Sequence, residues 1–448
     1  VAKALVASAV LFASAAQADQ CLANPVWFEN PTAPAELDVG DDLDNCDVAR
    51  YSWQLFIGLM QQRDGRALFE NYAAESAAFP AQGKPPSWFE HTLGKAASDA
   101  IELTPHLRRG TVEIHTDDIV QAGTQAPLVD QNNRWVHYNS QFNQKSYDYV
   151  RACDLYREGC FNAVGPRISF PANSMLLKAA WRVVETCTLP DSPEACTPED
   201  TSGLYLTQAD IDPFGPDLGA VHDVTVALVG LHIVTKPVNH PEWVWATFEF
   251  ADNAPDCSGA SNRDGTDWLF YNPSCEGPFC ETNVYCDPCS GNCGAEVTLD
   301  PQCKATPIPT QVCRYYPIDT MNPSGTVSQL NASVVRSAPA DSIFGSYQLV
   351  GALYTQYGST GGNDTGSPFL ANLTMETYKQ DDHRIGIPPN TGCFTCHSRV
   401  FTALGTKNGG QGDFSHSFKN IQQAGACAAS LPSYCPDSGL LGRPLPDS

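Results

Sequence analysis

Eighteen cysteines in 448 residues constrain this chain more than any other feature. A reducing cytosol keeps thiols apart, whereas an oxidising compartment turns cysteine pairs into covalent staples. Sixteen of them fall into local groups. Four close pairs, Cys21/Cys46, Cys153/Cys160, Cys187/Cys196 and Cys427/Cys435, are expected to bridge within themselves. Eight more crowd one segment: Cys257, Cys275, Cys280, Cys286, Cys289, Cys293, Cys303 and Cys313. In a cytosolic protein, Cys286, Cys289 and Cys293 would suit zinc or an iron–sulfur cluster. In an oxidising space a disulfide-stapled insertion is the stronger reading, and eight cysteines permit about a hundred connectivities.

The N-terminus supplies such a space. Lys3 precedes an apolar stretch over 4–13, and Ala16-Gln17-Ala18 forms an A-x-A cleavage site. Residues 1–18 therefore read as a signal peptide cut after Ala18, and the protein is expected in a periplasm or outside the cell. No later apolar run approaches the ~18 residues a bilayer requires, so the chain is not expected to span a membrane. Lys and Arg number 26 against 50 Asp and Glu, a net charge of −24. Such a surface excludes nucleic acid as a partner and suits a basic protein, here a basic redox partner.

The last two cysteines differ from the rest. Cys393-Phe394-Thr395-Cys396-His397 is C-x-x-C-H, the attachment signature of c-type haem. Two thiols three positions apart on one helical turn can each add to a haem vinyl group. The histidine that follows then sits under the iron as proximal ligand. One covalent haem c held by Cys393, Cys396 and His397 is the expectation; a further local disulfide beside a histidine is the alternative.

The other axial position decides the chemistry, because a strong second ligand makes an electron carrier and an open site permits catalysis. His232, inside the apolar run 224–235, is the leading distal candidate, as iron ligand or as acid/base group. Its competing role is a core histidine bonded to a carbonyl. Met375 comes next, against a plain core side chain. His383 and His416 lie in loop-like sequence and read as solvated. Glu249 and Glu376 read as strand-borne carboxylates in apolar surroundings. Lys178 and Arg182 share one strand face, either as a solvated pair or as cations for haem propionates.

The period of the apolar residues gives the organisation. Asp47 is placed as the N-cap of a helix over 48–62, with Trp53, Phe56, Ile57 and Met60 on one face. Residues 19–110 read as helical and irregular. Strands are expected at 111–121, 133–139, 168–172, 175–184, 224–235, 243–250, 347–357 and 370–378. The class is α+β: a β-rich antiparallel sheet or sandwich core over 111–392, peripheral helices, a Cys-rich insertion at 252–315, and a haem-attachment segment with a tail over 393–448. Phe414, Phe418 and Ile421 suggest a short helix in that tail.

Several stretches together resemble a family of exported bacterial proteins known as "cytochrome c family protein". They are Ser52-Trp53-Gln54-Leu55-Phe56-Ile57-Gly58-Leu59, Lys178-Ala179-Ala180-Trp181-Arg182, Gly230-Leu231-His232-Ile233 and Pro241-Glu242-Trp243-Val244-Trp245-Ala246-Thr247-Phe248-Glu249. Leu370-Ala371-Asn372-Leu373-Thr374-Met375-Glu376-Thr377-Tyr378, Cys393 to His397 and Asp413-Phe414-Ser415 complete the set. The resemblance spans most of the chain and implies no agreed substrate; the Cys-rich insertion departs from it. Single-electron transfer through one haem is the leading functional expectation. A haem enzyme of peroxidase or oxygenase type, and a disulfide-stapled binding protein with structural haem, stay open beside it.

Overall fold

In a computed structural model, the structure describes residues 21–37, 44–63, 65–90, 101–103, 119–121, 124, 126–164, 168–184, 199–211, 221–259, 266–294, 297–300, 302–320, 325–355, 364–366, 370–380, 397, 399–401, 407–409, 413, 415–428 and 431–435. Cys187, Cys196, His383, Cys393 and Cys396 lie outside them, as do residues 1–20 and most of 111–121.

The apolar run around His232 becomes the longest strand of the sheet. The strands are β1 (Val136–Phe142), β2 (Met175–Val183), β3 (Leu206–Ile211), β4 (Val221–Thr235), β5 (Val244–Phe250) and β6 (Tyr347–Thr355). One edge of β4 is taken by β2, and the other is shared by β5 and β3. β1 continues the sheet beyond β2, and β6 continues it beyond β5, all antiparallel. Among the described strands, only the short Ile101–Leu103 runs parallel to its neighbour, β3. A strand flanked on both edges and covered on both faces must be apolar throughout, which is why the run carries so few polar residues.

Helix α1 (Asn45–Leu59) lies on one face of the sheet. Its Phe56 stacks on Phe248 of β5 at 4.4 Å, and Trp53 meets the same ring edge-on at 5.0 Å. The N-cap is Asp44, not Asp47. Asp44 accepts from the Cys46 and Asp47 amides, and Asp47 accepts from the Asp44 amide in return, a reciprocal capping box. Helix α2 (Thr326–Ser337) packs beside α1. Its Asn331 accepts from the Trp53 indole and donates to the Leu349 carbonyl, so this asparagine is a structural link.

The opposite face is covered by chain that the sequence pattern assigns to a strand. Residues 370–378 alternate like a strand but fold as turns. Asn372 Oδ1 accepts from the Thr374 amide, and the Asn372 carbonyl accepts from the Met375 and Glu376 amides. This side-chain mimicry of a turn competes with a ladder. The turn lies directly on Gly230 of β4, where a Cβ would come 2.2 Å from Thr374 Oγ1. Asn372 Nδ2 then donates to Thr247 Oγ1 and the Phe248 carbonyl, each at 2.8 Å. Residues 168–172 are also not a strand: the Phe170 amide is used by Asp413, and Asn173 turns the chain with φ 63°.

All fourteen described cysteines are paired. Cys21–Cys46 forms as expected, and the insertion is closed by Cys257–Cys313, Cys275–Cys280, Cys286–Cys293 and Cys289–Cys303. Cys286, Cys289 and Cys293, which would suit metal in a reducing cell, are all committed to disulfides here. Two expected pairs are replaced by crossed ones, Cys153–Cys435 and Cys160–Cys427. The crossing follows from the chain path. The Glu158 amide donates to the Gln423 carbonyl and the Cys160 amide to the Gly425 carbonyl, laying the C-terminal segment along this loop. These bridges close loops of 282 and 267 residues, and losing one should cost about 2–4 kcal/mol. Non-reducing peptide mapping should recover the 153–435 and 160–427 cross-links. Linked 153–160 and 427–435 peptides would contradict the fold here.

A pH dependence follows from His137 on β1, whose burial pushes its pKa down to about 4. The folded state then disfavours the proton that the unfolded chain binds near 6.5. Stability from this group is complete above pH ~6.5 and falls by about 3 kcal/mol as the pH drops towards 4. A His137→Leu variant should show a flatter stability profile across that window in denaturant titrations.

Candidate functional site

The site is built where β5 and the end of β4 meet the C-terminal segment. Trp243 stands immediately before β5 and Trp245 lies within it, both buried. The Trp243 indole donates to the Asp413 carbonyl at 2.9 Å. The Asp413 carboxylate accepts from the Phe170 amide at 2.7 Å and pairs with Lys236 Nζ at 2.6 Å, with Lys236 nearly fully buried. Lys236 also lies 5.1 Å from the Trp243 ring centroid and donates to Ser169 Oγ. Asp413, in the left-handed region at φ 52°, thus ties the chain ahead of the 3-10 turn His416–Asn420 to the body. Phe418 in that turn packs against Phe161, Phe170 and Phe79.

His397 lies against this region. Its imidazole meets the Trp245 ring nearly edge-on, with centroids 4.5 Å apart and planes at 71°. The His416 ring stacks on it at 4.0 Å and 10°. His416, read from sequence as a solvated loop residue, is half-buried and packed on the expected proximal ligand. Only Asp413-Phe414-Ser415, three residues ahead of His416, hinted at it.

His232 sits opposite Thr247, two residues along β5 from Trp245. Its Nε2 pairs with Glu376 Oε1 at 2.8 Å, so its partner is a carboxylate and not a carbonyl. Their side chains are 22% and 23% exposed, so the pair is half-buried. Burial pushes the Glu376 carboxyl up, but the His232 charge and hydrogen bond, the Asn372 amide and Lys178 together hold it below the usual range. Lys178 is the rung next to His232 on β2 and lies 5.0 Å from the Tyr138 ring centroid. Glu376 leaves the turn over 370–380, not a strand.

The remaining expected groups are buried. Met375 is fully buried within the larger core cluster. Arg182 is buried between Asp130 and Glu199, so it forms no exposed cation pair with Lys178. Glu249 is fully buried and bonded to Arg314, to Gln348 at 2.9 Å and to the Leu373 amide at 3.1 Å. Arg314 also donates to the Ala371 carbonyl and stands at the exit of the Cys-rich insertion, hydrogen-bonded through its backbone to Pro255 and Cys257. Sequence reasoning missed this hub, because its partners are remote in the chain.

Among the described residues no helix is long and apolar enough to cross a membrane. No family model, curated protein or solved structure matches the chain.

Proposed function

We infer that this is an exported c-type cytochrome that carries single electrons on one haem, attached through Cys393 and Cys396 and ligated by His397. The observation that carries the reading is the distribution of thiols. All fourteen described cysteines are committed to disulfides, and the C-x-x-C-H pair belongs to none of their bonds. Seven disulfides also fit a chain that matures in an oxidising space such as the periplasm, where c-type haem is attached. The surroundings of His397 fit a haem ligand: an imidazole donor with Trp245 and His416 against it, next to the aromatic cluster of Trp243, Phe170 and Phe418. When bound, the haem supplies reversible one-electron chemistry at iron. The chain's own part is to hold the imidazole, surround it with apolar rings and present an acidic surface to a basic redox partner. The resemblance to exported cytochrome c family proteins supports the same reading.

A second reading rests on the His232–Glu376 pair. A half-buried imidazole–carboxylate pair beside Lys178, near the Trp245 rung, has the composition of an acid/base site for a haem enzyme. Visible spectra separate the two. A carrier with both axial positions filled should give a sharp reduced α-band that carbon monoxide leaves unchanged. An open-site enzyme should give a reduced spectrum that carbon monoxide shifts. Absence of any haem band would remove both readings.

A further inference from the structure

We propose that His416 is a positioning residue for the proximal ligand: its stacked ring fixes the rotational setting of the His397 imidazole. The inference rests on the cytochrome reading above and goes beyond it, to the device that orients the ligand.

The geometry has three parts. First, the two imidazoles are close to parallel at 4.0 Å between centroids, while Trp245 abuts the same ring at 71°. A flat ring bounded by one face-on and one near-perpendicular neighbour has one rotational setting free of clashes. Second, a histidine's donor lone pair lies in its ring plane. A ring stacked on the face of His397 therefore sits beside that donor direction and not along it. His416 supports the ligand rather than opposing it across the metal. Third, His416 is held by groups outside the site. Asp413, three residues earlier, is fastened by Lys236, the Phe170 amide and the Trp243 indole. Phe418, two residues later, is fully buried among Phe161, Phe170 and Phe79. Trp243 immediately precedes β5 and Trp245 lies two residues later within it, so one short stretch of chain fixes both the base of the His416 turn and the second wall of the ligand. Outer partners that orient a ligand tune the metal it holds.

The test uses the full chain made in a periplasm with haem-attachment machinery, as wild type, His416→Phe, His416→Leu and His416→Ala. Intact mass is read first for haem content, then the low-temperature electron paramagnetic resonance of the ferric protein. The phenylalanine keeps a flat ring without nitrogens and should retain the wild-type g-values. Leucine fills the volume without a plane, and alanine empties it; both should carry haem yet show shifted, broadened g-values. Full haem with wild-type g-values in the leucine or alanine variant would overturn the proposal, as would a phenylalanine variant that behaves like alanine. If alanine fails to accumulate, leucine against phenylalanine still decides. Wild-type chain without haem would defeat the cytochrome reading and this inference with it, whereas haem with unaltered spectra defeats the inference alone.

Discussion

A Cys393→Ala/Cys396→Ala chain should carry no covalent haem, while keeping its disulfides. The two thioether bonds are the only covalent hold that C-x-x-C-H chemistry offers, so the loss should be complete rather than partial. The single variants should keep haem through one thioether at reduced yield. Haem staining on a denaturing gel, read beside intact mass, checks all three. Undiminished covalent haem in the double variant would place the attachment elsewhere.

The largest expected effect on stability comes from Arg314→Ala. Glu249 is fully buried, and Arg314 is its only cationic partner among the described contacts. Removing the guanidinium leaves a charged carboxylate stranded in the core and frees the Ala371 carbonyl as well. Breaking a buried pair in this way costs about 3–5 kcal/mol. The same residue joins the base of the Cys-rich insertion, β5 and the 370–380 turn, so the damage should spread to the cover over His232. Denaturant unfolding measures the loss. An Arg314→Met/Glu249→Gln double variant should recover part of it, because no charge is then left unpaired. Arg314→Ala with wild-type stability would show that the pair does not hold these elements together.

The sheet was legible where burial alone writes the pattern. The runs at 175–184, 224–235 and 243–250 are apolar because both faces are covered, and each appears as a strand within a few residues of its expected ends. The same logic misled at 370–378. Ala371, Leu373 and Met375 alternate because a turn lies flat on the sheet, and the Asn372 side chain outweighs strand propensity. The asparagine in Asn372-Leu373-Thr374 was the available signal. Long-range closures were not legible at all. Cys153 has Cys160 as its near neighbour in sequence but Cys435 in space, because spacing describes local chain and not the path that brings the C-terminal segment alongside.

The site divides in the same way. C-x-x-C-H is a local pattern that sequence alone can propose, and its Cys393 and Cys396 lie outside the described residues. His232 was noticed because a histidine is costly inside an apolar strand, and the structure gives it Glu376 as a partner. His416 was passed over: its Ser and Asp neighbours look like solvated loop, and what holds it comes from Lys236 just after β4, Trp243 just before β5 and the loop at Phe170. Such placement depends on tertiary anchors that no window of sequence contains.

The central claim is one covalent haem on this chain, and intact mass under denaturing, non-reducing conditions tests it most directly. Protein from a periplasm competent for haem attachment should have the mass of the polypeptide cleaved after Ala18, with sixteen cysteines oxidised, plus one haem. The bare polypeptide mass, with Cys393 and Cys396 joined to each other as one more disulfide, would contradict the account.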